Sequence, residues 1–135
     1  MCKGVFYLKL NQDCLRDLML ELEDKLFINT HIYTDEFRTL EIFNKYSDED
    51  VYYSLKQLIK MGLIDGATKN QAATVQPYYI DVYDIEPKGH EFLNNVRDEN
   101  VWKETKKRIS KFASVSIPVL QQVSKAVIQK MAGLS

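Results

Sequence analysis

The fold is decided by residues 47–93: SDEDVYYSLKQLIKM (47–61), GLI (62–64), DGATKNQAATVQP (65–77), YYIDVYDI (78–85) and EPKGHEFL (86–93). The first piece reads as an amphipathic helix capped by Ser47. Asp50 stands at the capping-box position, where Glu is usual, and Val51, Leu55, Leu58 and Ile59 point inward. Gly62 supplies a left-handed C-cap that turns the chain sharply into Leu63 and Ile64. The 13 residues from Asp65 to Pro77 hold no sustained pattern and read as a wing loop with short strand pairing at its ends. Tyr78–Ile85 alternates as a strand does, with Ile80, Val82 and Tyr78 on one face and Tyr79, Asp81, Tyr83 and Ile85 on the other. Pro87 suits the first position of a following helix, whose inner face is Phe92, Leu93 and Val96.

Upstream, Asn11 caps a first helix over residues 11–25, with Asp13 in its first turn and Leu15, Leu18, Leu22 and Leu26 as its apolar stripe. Phe27–Tyr33 is rich in β-formers and reads as a short strand. Thr34 caps a second helix, with Phe37, Leu40 and Phe43 inward. Downstream, Trp102, Thr105, Ile109 and Phe112 form a new helical register after a break at residues 97–100. Ser114 or Ser116 then caps a last helix, in which Leu120, Val123, Val127, Met131 and Leu134 make a stripe at spacings of 3 and 4. The elements predict an α+β, mostly helical fold: a winged helix-turn-helix with a small β-hairpin wing and an additional C-terminal helix. Residues 1–10 form an N-terminal extension, 11–112 the winged-helix-like domain and 113–135 the C-terminal helix, which either packs back or dimerises.

A chain of 135 residues, 45% hydrophobic and 27% charged, has the balance of one soluble globular domain able to bury a core without staples. Two cysteines, Cys2 and Cys14, give neither a disulfide framework nor metal spacing, so a reducing cytoplasm is expected, with Cys14 a small core residue. The N-terminal MCKGVFYLKL is too short for a signal-peptide core, and no stretch approaches ~18 uninterrupted apolar residues. The net charge of −1 conceals an asymmetry. Residues 1–100 hold 11 Lys/Arg against 18 Asp/Glu, a balance of −7; residues 101–135 hold 7 against the single Glu104, a balance of +6. Such a division speaks about partners.

In a helix-turn-helix protein the 47–61 helix would lie in the major groove. Its outward residues are Tyr53, Lys56, Gln57 and Lys60, with Gln57 suited to adenine and the lysines to phosphate. The wing adds Lys69. Against this, Asp48, Glu49 and Asp50 open the helix, and phosphate neutralisation dominates DNA affinity. Those carboxylates also cap the helix and complement its dipole. Lys103, Lys106, Lys107, Arg108 and Lys111 fall on the outer side of the helix that buries Trp102, Thr105 and Ile109. They suit a phosphate backbone, an acidic protein or plain solvation. Leu120, Val123, Val127 and Met131 are the candidate homodimer contacts.

No catalytic arrangement is expected. His31 and His90 have no carboxylate or cysteine at ligand spacing, no nucleophile elbow is present, and no glycine-rich loop opens a helix. Cofactors, metal and membrane partners are likewise not expected. The stretches KLNQDCLRDLMLELE (9–23), YSDEDVYYSLKQLIKMGLI (46–64) and GHEFLNNVRDENVWKETKK (89–107) resemble a family of small proteins from Gram-positive bacteria and their phages, a domain of unknown function. The resemblance runs from Lys9 to the end. It implies a winged-helix-like fold and frequent phage or prophage origin, assigns no site residue, and makes residues 1–8 an extension or an alternative start. Two functions follow as expectations. One is a DNA-binding transcriptional regulator, dimeric through its last helix. The other is a protein-interaction module, such as a phage-encoded inhibitor of a host protein.

Overall fold

The side-chain oxygen of Asn11 accepts the Cys14 N–H at 3.0 Å and so opens the first helix, α1 (Gln12–Lys25), in the computed structural model, which describes residues 9–134. The expected extension therefore lies, with Cys2, almost wholly outside the described residues. Cys14, Leu15, Leu18, Met19 and Leu22 are fully buried along α1, each large aliphatic side chain contributing roughly 1.5–3 kcal/mol. The strand expected over residues 27–33 shrinks to β1 (Ile32–Tyr33), because Thr30 closes a turn onto Phe27 and Asn29 takes a φ of 63°.

Thr34 does not cap the single-turn helix α2 (Thr34–Phe37). It is the first helical residue, and its hydroxyl accepts the Ile80 N–H at 2.8 Å, tying this corner to the sheet. A 3₁₀ turn (Glu41–Asn44) follows, its first two N–H groups held by the Glu21 carboxylate at 2.7 and 2.9 Å. Helix α3 (Asp48–Lys60) begins as the sequence predicts, with Ser47 Oγ accepting the Asp50 N–H. Asp50 does not complete a capping box; its carboxylate accepts from Asn11 Nδ2 at 3.0 Å and links the starts of α1 and α3. Val51, Tyr52, Leu55 and Leu58 are buried, whereas Ile59 is half-buried. Gly62, at φ 76°, ends the helix as expected, with Leu63 N–H donating to Leu58 O and Gly62 N–H to Ile59 O.

The wing differs from expectation. Strand β2 (Ile64–Lys69) pairs along its whole length with β3 (Tyr79–Ile85), leaving a loop from Asn70 to Tyr78. The three strands are antiparallel in the order β1-β3-β2. Asp65 faces Asp84 but Gly66 faces Val82, so Tyr83 is an extra residue in β3. This bulge breaks the two-residue alternation and turns Ile85 into the core, at 5% exposure, where the sequence pattern had placed it outward with Tyr83. Tyr78 lies just outside the strand and is exposed.

Pro87 opens α4 (Pro87–Val96), which buries Phe92, Leu93 and Val96. Gly89 is needed there because a β-carbon would stand 2.2 Å from the Leu63 carbonyl oxygen and 2.7 Å from Ile85 Cγ2. Asp98 caps a fresh helix, α5 (Glu99–Ile109), by accepting from the Asn100 and Val101 N–H groups. Trp102, Thr105 and Ile109 are buried as predicted, but Phe112 is 56% exposed, since α5 ends before it. Ser116 rather than Ser114 caps α6 (Ile117–Met131). That helix lies across α4 and α5, with Ile117, Leu120, Ser124 and Val127 buried and Ser124 Oγ 3.3 Å from Thr105 Oγ1. The fold is thus α+β and mostly helical, with α6 part of one continuous core.

Candidate functional site

Two turns of α3 face outward between two walls. The 3.6-residue period that buries Val51, Leu55 and Leu58 presents Tyr53, Lys56, Gln57 and Lys60 on the opposite side. Lys56 and Lys60 are exposed; Tyr53 and Gln57 are half-buried. One wall is the β2–β3 loop. Between it and α3 lies a cleft of about 330 Å³, lined by Glu49, Tyr52, Tyr53 and Lys56 on the helix side and by Thr68, Asn70, Gln71, Val75 and Pro77 on the other. The loop is braced internally. Asn70 Nδ2 donates to the Thr74 and Val75 carbonyls at 3.2 Å, Thr74 Oγ1 donates to Gln71 O, and the Arg38 guanidinium donates to Pro77 O.

The other wall is the Ser114–Pro118 segment that joins α5 to α6. With Leu10 it flanks Tyr53, Gln57 and Met61 and encloses a shallower groove of about 290 Å³. Tyr53 contributes to both hollows. Among the carboxylates that open α3, Asp48 and Glu49 are exposed, while Asp50 is engaged by Asn11.

The remaining sequence candidates divide. Lys69 does not join the α3 face: strand alternation turns it, with Asp65 and Ala67, to the other side of the sheet, where its Nζ sits 5.2 Å from the Tyr79 ring centroid. On α5, Lys106 Nζ pairs with Asp13 at 3.0 Å and Arg108 pairs with Glu104 at 3.3 Å within the same helix. Lys111 lies over its neighbour Phe112. Lys103 and Lys107 are exposed and form no ion pair among the described residues. Of the four candidate dimer contacts, Leu120 (0% exposed) and Val127 (1%) are spent on α4 and α5; Val123 is half-buried and only Met131 is open. Half of the stripe is thus covered within its own chain, and Val123 and Met131 are the part that stays accessible.

Two arrangements escaped the sequence reading. Arg16 is buried in α1. Its Nε donates to Val96 O at 2.7 Å and its Nη2 to Arg97 O at 2.8 Å, with the guanidinium 5.5 Å from the Trp102 ring centroid. Trp102 Nε1 in turn donates to Asp13 at 2.9 Å, and Arg97 grips Glu23 through two bonds of 2.6 and 2.8 Å. Burial works to raise the Asp13 pKa, but bonds from Trp102 and Lys106 outweigh it and hold the carboxyl below its ordinary value. The hydrogen bond from Arg97 lowers Glu23 likewise. Nearby, burial pushes the Cys14 thiol up to about 12, in keeping with an inert core residue.

The second is on the outer face of the sheet. His31 Nδ1 stands 2.6 Å from Asp81 Oδ1, with its ring stacked on Tyr33 (5.1 Å between centroids) and tilted against Tyr83 (4.5 Å). The signal was present in the spacing of Asp81 and Tyr83, two apart on β3, but a two-residue partner strand leaves no alternation to read.

The geometry defines a helical module with a small antiparallel sheet, in which the outer face of α3 is flanked by a hairpin loop. The chain belongs to the family described as hypothetical protein (DUF2513), whose model matches residues 9–116, from the start of α1 to the cap of α6. It is similar to an "Uncharacterized protein" of Haemophilus influenzae, with 27% identity over 128 residues, covering 92% of this chain and 98% of the relative. No solved structure matches the chain. None of the helices among the described residues is long and apolar enough to cross a membrane.

Proposed function

We propose that this chain is a winged-helix protein that binds double-stranded DNA through the outer face of α3 and acts as a transcriptional regulator rather than as a catalyst. The winged-helix reading rests on the order α1-β1-α2-α3-β2-β3 together with the sheet order β1-β3-β2, which places a hairpin beside the third helix. The DNA reading is carried by one observation: Ser114–Pro118 lies against Tyr53, Gln57 and Met61. The chain that leaves the cationic end of α5 therefore passes beside α3. Lys107 and Lys111 then add phosphate contacts to those of Lys56 and Lys60, while Gln57 and Tyr53 face the bases. Asp50 is turned toward Asn11, which leaves Asp48 and Glu49 as the exposed carboxylates at the start of α3.

The test is retardation of duplex DNA at ~50 mM salt, where electrostatic binding is strong. The wild type should bind, and Lys56→Glu with Lys60→Glu should abolish the shift. A neutral exchange of Lys107 should weaken binding to all sequences alike and reduce the salt slope by about 1. A wild type that leaves duplex DNA unretarded sinks the proposal. One observation favours a protein partner instead: Glu49 shares the tyrosine-lined cleft with Lys56, so that hollow presents both signs of charge. Under that reading a single stoichiometric partner survives nuclease treatment of a host lysate and is lost on Tyr53→Ala. Loss of the partner on nuclease treatment counts against it.

A further inference from the structure

Strand β2 is an edge strand: β3 covers one side, and among the described residues no strand lies on the other. Long open edges are usually blunted by proline, by a bulge, by brevity or by charged side chains, lysine above all, and this edge carries two charges of opposite sign, Asp65 and Lys69. Here the edge runs six residues, IDGATK, without proline, and the extra residue of the sheet's bulge belongs to β3. Asp65, Ala67 and Lys69 are exposed on the same face, and neither charge enters an ion pair among the described residues.

We infer that β2 pairs antiparallel with β2 of a second copy of this chain, about a two-fold axis through Ala67. The side chains select that register. With Ala67 on the axis, Asp65 faces the partner's Lys69, Lys69 faces the partner's Asp65, and Gly66 faces the partner's Thr68. Opposite charges directly across an antiparallel pair stand about 4.5–5.5 Å apart at Cβ and attract. A slip of two residues breaks both pairs, and the small Ala67 lets the strands meet at the axis without a clash. Of the last helix's apolar stripe, Leu120 and Val127 are already buried in its own chain. An axis perpendicular to the sheet yields six continuous strands, with both copies of α3 on the same side. The pairing does not depend on what α3 binds.

Light scattering across a concentration series tests it. The wild type should be a dimer. Lys69→Asp and Asp65→Lys should each give a monomer with an unchanged far-ultraviolet circular dichroism spectrum, because each sets like charges opposite one another. The double exchange Asp65→Lys with Lys69→Asp should restore the dimer. As a check independent of charge, Ala67→Cys in a Cys2→Ser background should close into a covalent dimer with a short bismaleimide. A wild type that is monomeric at every attainable concentration overturns the inference. So does a dimer indifferent to either single reversal, a double exchange that stays monomeric, or an Ala67→Cys chain that does not cross-link.

Discussion

Arg16 occupies a position that sequence pattern disguises. It sits between Leu15 and Asp17 in a helix of alternating leucines and charges, and nothing in that spacing marks it as buried. Its partners are main-chain oxygens at the end of α4, where carbonyls lack helical donors and the dipole is negative. Beside it, Asp13 gives the molecule a pH dependence whose direction can be worked out. Its folded pKa lies below the ordinary 3.8, so its contribution to stability is complete above that value and is lost as pH falls through the folded one. Urea melts followed by fluorescence of Trp102, the single tryptophan, should show stability falling in acid less steeply for Asp13→Asn than for the wild type. Equal acid limbs would remove Asp13 from this role.

At the scale of elements, the junction between β3 and α4 depends on Gly89. A β-carbon there meets a main-chain oxygen, which cannot rotate away, so Gly89→Ala should lower stability by about 3 kcal/mol in urea titration. Gly62→Ala meets no atom within 4 Å and suffers only from its positive φ, so it should lose about 1–2 kcal/mol. A reversed order of severity would show that α4 shifts to accommodate the methyl. The caps at Asn11 and Ser47, the choice of Ser114 or Ser116 before α6, and the inner face of α3 were legible in the sequence, because local hydrogen bonding and a 3.6-residue period are written in the residues themselves. The bulge at Tyr83 was not legible, since it is a property of the pairing with β2 rather than of either strand. Strand β2 itself was hidden because IDGATK offers few β-branched residues to a propensity argument. Of the candidate site, the α3 cluster was found in advance. The separation of Lys69 from it followed only once β2 was known to be a strand.

For the molecule as a whole, the stripe of α6 allowed either packing back or a second subunit, and its buried face, from Ile117 to Val127, seals the surface formed by α4 and α5. Val127→Glu should therefore unfold the chain rather than dissociate it, at a loss of several kcal/mol for an unpaired buried charge. Val123→Glu, half-buried on the same helix, should fall within about 1 kcal/mol of the wild type. Thermal melts of the two variants decide the matter, and comparable melting temperatures would place α6 outside the core.

The links that fasten α1 also bear on the timing of folding. Arg16 reaches Val96 across 80 residues, Glu23 reaches Arg97 across 74, and Asp13 reaches Trp102 across 89. Such distant pairings raise contact order and delay closure. Among the described helices α1 is made first; Asn11, Asp17 and Glu21 find polar partners by residue 50, whereas Asp13, Arg16 and Glu23 find theirs only in the last third of the chain. Until the end of α4 arrives, the guanidinium of Arg16 has no carbonyl pair to enter, and the leucine face of α1 has only part of its cover. The first helix of the described fold is fastened in two stages, the second more than 70 residues after the first turn is made.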